Sequence, residues 1–335
     1  MRKKLNVGLY GQRGHQLSRI LYDNEFAQIS AVCVLSESFT DEIIKNSKNE
    51  IKTYPSLEEM LCDEKIDLIS LCSPDRSMQG KETIMCLKAG KHVYAEKPAA
   101  LSETELDLIL KTAKECKREF HEMADTVYTE PYWSMRKLVR GGKLGDIVQI
   151  YAQKSYPMNP LSRPQDETTD GGLVRQAGIH AIRFIEHITG IMVDDVKVCQ
   201  THLGNIYPDK GLYTASSWMM KLSNGGVASA CVNYLNPKGF GKWGNESVRI
   251  FGTEGMVEIT DGGRKTHYYS QNRDEGEIDT SGSDCPVFFN LIAQHILYKN
   301  PLPMTLEEEL HPLRVVLRAF DSDKEGNSGL FDFVS

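Results

Sequence analysis

Several features that mark other protein classes are missing from this sequence. No uncharged run is long enough to cross a membrane, and the first residues enter a strand pattern without the long apolar stretch of a signal peptide. The eight cysteines are scattered and none forms a C-x-x-C pair, whereas zinc thiolates usually come in close pairs. Internal repeats and low-complexity tracts are also absent. We therefore expect a cytoplasmic protein with reduced thiols and no metal.

Excess positive charge is missing as well. The 335 residues carry a formal net charge of -7, whereas nucleic acid and anionic membranes both select clustered Lys and Arg. Neither is expected as a main partner, and a small polar ligand fits better. The length is sufficient for two domains with ample interior.

The first part of the chain alternates strand and helix patterns in the rhythm of βαβ units. Gly90 is expected to end a helix, and Ser102 to begin one with Glu105 completing a capping box. The pattern predicts an α/β domain over residues 1–122, a Rossmann-type doubly wound parallel sheet. The predicted strands are residues 5–10, 29–35, 67–72, 92–95 and 119–124, and the predicted helices are residues 14–23, 40–47, 57–62, 77–89 and 102–117.

The second part of the chain, residues 123–335, is predicted to be an α+β domain. A tight turn at residues 223–225 joins two of its strands, which argues for a largely antiparallel sheet. The polar run 272–284 is expected to form one exposed loop. The predicted strands are 147–154, 196–203, 213–222, 226–234, 247–251 and 256–259, and the predicted helices are 131–139, 173–189, 287–298 and 306–320. The last two helices either pack beside this sheet or return to the first domain.

The first strand runs into a turn that is similar to a phosphate-binding loop. The usual fingerprint is G-x-G-x-x-G, whose glycines allow the tight turn, the approach of the backbone to pyrophosphate, and close helix packing. Only Gly11 matches cleanly, since Arg13 and Gln16 take the other two positions, unless a shift by one residue lets Gly14 serve. Arg13 is a candidate cation for a phosphate. Such a loop alone also occurs in many α/β proteins that bind no dinucleotide.

The end of the second strand bears on the choice between NAD and NADP, and the sequence leaves both open. An acid at this tip normally accepts both ribose hydroxyls of NAD, and Val34 stands there instead. Ser36 tolerates the extra phosphate of NADP, whereas Glu37 is an alternative contact for the ribose. The expected cofactor is therefore NAD or NADP.

The most informative stretch is Glu96-Lys97-Pro98. It follows a short apolar strand, and the proline keeps Lys97 out of helical geometry at the carboxyl edge of the sheet, where ligands bind in open α/β folds. An isolated motif of this kind equally describes a salt-bridged surface turn. Its position after a buried strand favours a functional acid and amine.

Four segments together resemble the Gfo/Idh/MocA oxidoreductases, the glucose-fructose oxidoreductase and inositol dehydrogenase family. They are VGLYGQRG, LCSPD, GKHVYAEKP and GGLVRQAGIH, and the likeness spans nearly the whole chain. The resemblance implies a nicotinamide-dependent dehydrogenase of a sugar, polyol or related hydroxylated small molecule, assembled as a homodimer or homotetramer. The expected cofactor contacts are Gly8, Gly11, Gln12, Arg13, Gly14, Ser36, Ser73, Pro74, Glu96 and Lys97.

The long helix predicted in the second domain should complete the site. Gln176 and His180, four residues apart, share one helix face, and Arg183 follows them. Gly178 costs about 1 kcal/mol relative to alanine, which suggests a close approach to the backbone. The family carries an aspartate where Gln176 stands, and Asp170 is expected to cap the helix. The expected core stripe is Val174, Ala177, Ala181, Ile185 and Ile188.

Three of these residues are expected to be catalytic. His180 is the expected acid/base, Lys97 stabilises a developing alkoxide or polarises a carbonyl, and Gln176 positions substrate hydroxyls. Two alternatives stay open, namely a family member that has lost turnover and serves as a ligand-binding or regulatory protein, and a non-redox lyase or hydrolase that uses bound NAD for transient oxidation. The irregular glycine loop, Val34 and Gln176 favour the first alternative.

Overall fold

The structure is a computed structural model that describes residues 4–159, 161, 163–207 and 211–324. The chain forms two compact units and passes between them five times. The first crossing lies between residues 130 and 131. The first unit is Met1–Glu130, Thr168–Gly171 and Gly282–Leu313, and the second is Pro131–Glu167, Gly172–Ser281 and Arg314–Ser335.

A parallel sheet lies in the first unit, as predicted, and it has six strands where five were expected. Its strands are β1 (Leu5–Tyr10), β2 (Ala27–Cys33), β3 (Lys52–Tyr54), β4 (Leu68–Leu71), β5 (His92–Ala95) and β6 (Phe120–Glu122). Their order is β3-β2-β1-β4-β5-β6, so the direction in which successive strands are added to the sheet reverses between β1 and β4, while the strands stay parallel. This reversal is the topological switch point at which doubly wound folds bind ligands. Strand β3 was not predicted, because it is mostly exposed and carries no apolar run.

Helices connect these strands, and further helices belong to the second unit. Ser102 caps its helix as predicted, since its Oγ accepts a hydrogen bond from the Glu105 N–H at 3.2 Å. Among the described residues, no helix is long and apolar enough to span a bilayer. The helices are α1 (Ser18–Leu21), α2 (Glu37–Asn46), α3 (Leu57–Leu61), α4 (Arg76–Lys88), α5 (Glu103–Cys116), α6 (Tyr132–Arg140), α7 (Glu167–Asp170), α8 (Ile179–Thr189), α9 (Phe288–Tyr298) and α10 (Leu306–Lys324).

Helix α9 completes the core of the first unit. Phe289 packs on Tyr94 of β5 with ring centroids 5.5 Å apart, and Phe288 packs on Tyr128 at 4.6 Å. Both phenylalanines are 1 % exposed. Of the two alternatives for the closing helices, the return to the first domain is therefore observed for α9.

The second unit contains an eight-stranded sheet in the order β14-β13-β12-β11-β7-β10-β9-β8. All its pairs are antiparallel except β7 with β10, so the predicted, largely antiparallel sheet is confirmed. The prediction of one loop over 272–284 is wrong in its first part, because β14 pairs with β13 there. The strands are β7 (Ile147–Ser155), β8 (Val193–Thr201), β9 (Ala215–Leu222), β10 (Val227–Asn233), β11 (Ser247–Gly252), β12 (Gly255–Thr260), β13 (Lys265–Ser270) and β14 (Arg273–Gly276).

The long helix predicted over 173–189 has two parts, a π-helical segment, Val174–Gly178, and α8. A Cβ added to Gly178 would lie 2.6 Å from the Trp218 ring, so the expected close approach is made by a side chain of β9. All five residues of the predicted core stripe are fully buried. Wider π-helical turns are frequent at functional sites, and here the turn carries Gln176.

We expect Gly178→Ala to lower the free energy of unfolding by about 1–3 kcal/mol, because the buried Trp218 ring cannot move away without disturbing β9. The substitution to make as a control is Gly239→Ala, since no atom lies within 4 Å of a Cβ there. Urea unfolding of both variants measures the effect. Equal stabilities would show that the contact with Trp218 is not tight.

Candidate cofactor and active site

The glycine loop is shaped by two positions that need glycine. Gly11 and Gly14 have φ of +68° and +124°, which residues with a side chain rarely adopt. A Cβ on Gly11 would lie 2.1 Å from the Cys72 carbonyl oxygen, and one on Gly14 would lie 2.6 Å from the Glu96 carboxyl carbon. The loop therefore packs directly on the ends of β4 and β5. Gly14, not residue 13 or 16, is the second glycine that this packing requires.

The Glu96 carboxylate is the centre of this edge of the sheet. It is 1 % exposed and accepts a hydrogen bond from the backbone N–H of His15 at 2.8 Å. It also lies 3.1 Å from the ring nitrogen Nδ1 of His15. Its Oε1 is 3.9 Å from Lys97 Nζ. Burial raises the pKa of Glu96, but the charge and hydrogen bond of His15, with Lys97, lower it from 4.5 to about 2. Glu96 is thus an anion held between the His15 ring and the Lys97 ammonium.

The turn that carries Lys97 is held by buried polar residues that the sequence analysis missed. Gln79 Nε2 donates to the carbonyl oxygens of Glu96 and Pro98. Arg76 donates to Gln79 Oε1 at 2.9 Å, and both side chains are at most 2 % exposed. Their spacing was the signal in the sequence that could have identified them. Arg76 and Gln79 are three residues apart in the first turn of α4, directly after β4, so their side chains lie on one face of that helix. Lys97 is 6 % exposed, and the Lys97–Pro98 peptide bond is cis.

Arg13 lies near the loop as expected but is engaged within the protein. Its guanidinium pairs with the Asp170 carboxylate at 2.9 Å and donates to the carbonyl oxygens of Thr169 at 2.7 Å and Pro74 at 3.0 Å. Asp170, expected to cap the helix that follows, is the last residue of α7 and binds Arg13. The segment Thr168–Gly171 is thereby tied into the first unit.

The remaining predicted contacts are spread along the same edge, with one exception. Ser73 is buried after β4 and donates to the Asp75 carbonyl oxygen at 2.7 Å. Gln12 Oε1 accepts from the Ser36 N–H at 2.8 Å, which links the loop to the start of α2. Gly8 lies inside β1, where a Cβ would be 3.0 Å from both Ile69 and Met60, so packing accounts for this glycine.

Val34, which replaces the expected acid, has an unusual backbone. Its φ is +55° and it is 45 % exposed, whereas a β-branched residue is an outlier in the left-handed region. Such strain concentrates at functional sites.

The second unit holds the other predicted catalytic residues. Gln176 is 6 % exposed within the π-helical segment, and His180 is half-buried in the first turn of α8. Arg183 is fully buried. Tyr156, an aromatic residue after β7, packs against Trp243 with ring centroids 5.7 Å apart, so its burial is explained by packing.

The donors and shape of the loop edge fit a dinucleotide. The two glycines keep side chains out of the turn, and Gln12 and His15 are exposed on it. A glycine turn at the switch point is the place where doubly wound folds bind pyrophosphate. In the second unit, Gln176 and His180 supply a neutral donor and a titratable ring.

We expect Glu96→Gln to reduce stability most above about pH 4.5. The native carboxyl stays ionised down to about pH 2, so its contribution, up to about 3 kcal/mol, is present above pH 4.5 and disappears as the pH falls toward 2. Urea unfolding of wild type and variant between pH 2.5 and 6 measures the difference. The control is Glu115→Gln, whose carboxylate is 62 % exposed. A difference independent of pH would contradict the assignment.

Sequence comparison places the chain among known proteins. The profile described as oxidoreductase family, NAD-binding Rossmann fold, matches residues 5–123, and the GFO/IDH/MocA C-terminal domain profile matches residues 132–258. A scyllo-inositol 2-dehydrogenase (NADP(+)) of Bacillus subtilis (strain 168) is 23 % identical over 354 residues, covering 97 % of this chain and 96 % of the relative. A 2,7-anhydro-N-acetylneuraminate hydratase of Escherichia coli (strain K12) is 23 % identical over 264 residues, covering 76 % and 67 %.

Structural comparison agrees with these matches. The solved structure of a Thermotoga maritima protein assigned as an oxidoreductase superposes with a TM-score of 0.84 at 26 % identity, covering 96 % of this chain and 98 % of the other. The two profile matches, one in each half of the chain, and the superposition on a solved structure lead to the same conclusion. The chain belongs to the Gfo/Idh/MocA family of NAD-binding oxidoreductases.

Proposed function

We propose that the protein transfers a hydride between a nicotinamide dinucleotide and a sugar or cyclic polyol. The observation that carries the proposal is the buried ammonium of Lys97 at the carboxyl end of β5, beside the Glu96 carboxylate. A positive charge held in a site of low water content stabilises an oxygen that becomes negative during the reaction. The inositol dehydrogenase matched over nearly its whole length supports a polyhydroxylated substrate.

Each predicted catalytic residue has a distinct role in this proposal. When bound, the nicotinamide accepts or donates the hydride. In the oxidative direction His180 takes the hydroxyl proton, and Lys97 stabilises the oxygen that loses it. Gln176 hydrogen-bonds substrate hydroxyls without adding charge, unlike the aspartate of the family. Glu96 pairs with Lys97 and holds its ammonium in place.

The proposed cofactor contacts are the loop and edge residues named by the sequence. The dehydrogenase relative uses NADP(+), and this chain is expected to bind NAD or NADP. Assembly into a homodimer or homotetramer and a cytoplasmic location stay predictions of the sequence.

Replacing His180 with alanine is expected to lower turnover by about 10²–10⁴-fold, because proton transfer to a positioned side chain contributes about that much. Lys97→Met should lower turnover by about 10²–10³-fold through the loss of electrostatic stabilisation. Steady-state rates over a panel of sugars and inositols measure turnover, and nicotinamide fluorescence measures cofactor affinity separately.

The matched control is Lys88→Met, which removes an exposed lysine from the last turn of α4. It should leave turnover unchanged. Wild-type rates in His180→Ala, or a loss of turnover caused entirely by weaker cofactor binding, would refute its role as acid/base.

A second candidate function is a hydratase or lyase reaction that oxidises its substrate and then reduces it again. The Escherichia coli hydratase relative favours it. In that case product forms by gain or loss of water while the amount of reduced nicotinamide stays constant. Product analysis by NMR beside absorbance at the nicotinamide band distinguishes the two reactions. Failure to bind either NADH or NADPH would instead support a ligand-binding protein without turnover.

A further inference from the structure

Two donors of the glycine loop that would suit a phosphate are engaged within the protein. The His15 N–H donates to Glu96 at 2.8 Å, and the Arg13 guanidinium pairs with Asp170 at 2.9 Å. Both acceptors are almost completely buried, at 1 % and 2 % exposure. Removing either donor would leave a buried carboxylate with fewer partners, which is strongly unfavourable. These donors therefore remain with their internal acceptors, and another group has to meet a bound diphosphate.

The imidazole of His15 is placed to be that group. Its Nδ1 lies 3.1 and 3.2 Å from the two Glu96 oxygens, while the side chain is 69 % exposed. A carboxylate only accepts hydrogen bonds, so Nδ1 carries a proton and the ring is oriented by Glu96. Among the described residues, Nε2 has no hydrogen-bond partner. The ring is thus fixed on one side and open to a ligand on the other.

A bound phosphate completes the charge arrangement around this ring. The Glu96 carboxylate lies at Nδ1, and a phosphate oxygen at Nε2 would give the second ring nitrogen a negatively charged partner. Hydrogen bonds between charged partners are about twice as strong as neutral ones. One buried carboxylate would then hold two cations, Lys97 for the reacting oxygen and His15 for the cofactor.

We propose that His15, oriented by Glu96, is the side chain with which the glycine loop contacts the diphosphate of the bound dinucleotide. Arg13 meanwhile holds the loop to Asp170 and Thr169. The proposal depends on cofactor binding alone and is independent of the substrate and of the direction of hydride transfer.

The test measures binding, with no turnover required. His15→Ala is titrated with NADPH and NADH by nicotinamide fluorescence, and with ADP-ribose, which keeps the diphosphate but lacks nicotinamide, by competition. We expect the dissociation constants of all three ligands to rise about tenfold or more, since hydrogen bonds to charged groups contribute about 1.5–3 kcal/mol. His15→Arg, which retains a cation, should restore most of the affinity. Thermal unfolding checks that each variant is folded.

The matched control is His267→Gln. It removes a histidine of β13 that is likewise paired with a carboxylate, that of Asp274. It should bind all three ligands as the wild type does. Unchanged affinities in His15→Ala would overturn the proposal, and so would a loss for NADPH without a loss for ADP-ribose, which would move the contact to the nicotinamide half. Wild-type protein that binds no ligand would overturn it together with the proposed function. Protein that binds all three but transforms no substrate would overturn the proposed function alone.

Discussion

The burial of one carboxylate determines the geometry of the whole cofactor edge. An ionised carboxyl removed from water is several kcal/mol unfavourable unless nearby groups compensate for the lost hydration. Glu96 obtains this compensation from the His15 N–H, the His15 ring and the Lys97 ammonium. Gly14 follows from the same requirement, because any side chain there would occupy the position of the carboxyl group. The glycine at position 14 and the placement of the His15 groups thus follow from a single desolvated charge.

In the second unit, the predicted site residues lie next to a tightly packed core. Trp218 fills the space beside Gly178, so the π-helical segment is held against β9 by an aromatic ring. Gln176 is buried there without formal charge. A neutral amide needs no counter-ion in such surroundings, whereas the aspartate typical of the family would.

The elements that the sequence predicted correctly are those whose cause is local. The apolar run of β5 and the Ser102 cap are set by neighbouring residues, and both are observed. The pairing of Arg13 with Asp170 joins positions 157 residues apart, and no local pattern encodes it. Strand β14 is charged and lies at an edge, so it forms through its partner β13 and has no apolar alternation of its own. Gly178 is an intermediate case. A glycine inside a helix predicted that another group packs closely there, but the sequence did not identify that group as Trp218.

The placement of α9 has a consequence for biosynthesis. A ribosome releases the six strands of the parallel sheet long before the helix that covers β5, since Phe289 follows Tyr94 by nearly two hundred positions. Until then the apolar surface around Tyr94 and Tyr128 lacks its aromatic cover. Nascent chains with uncovered apolar surface are substrates for chaperones and prone to aggregation. The parallel sheet therefore reaches its native packing only after all eight strands of the second unit have been synthesised, because α9 follows β14 in the chain.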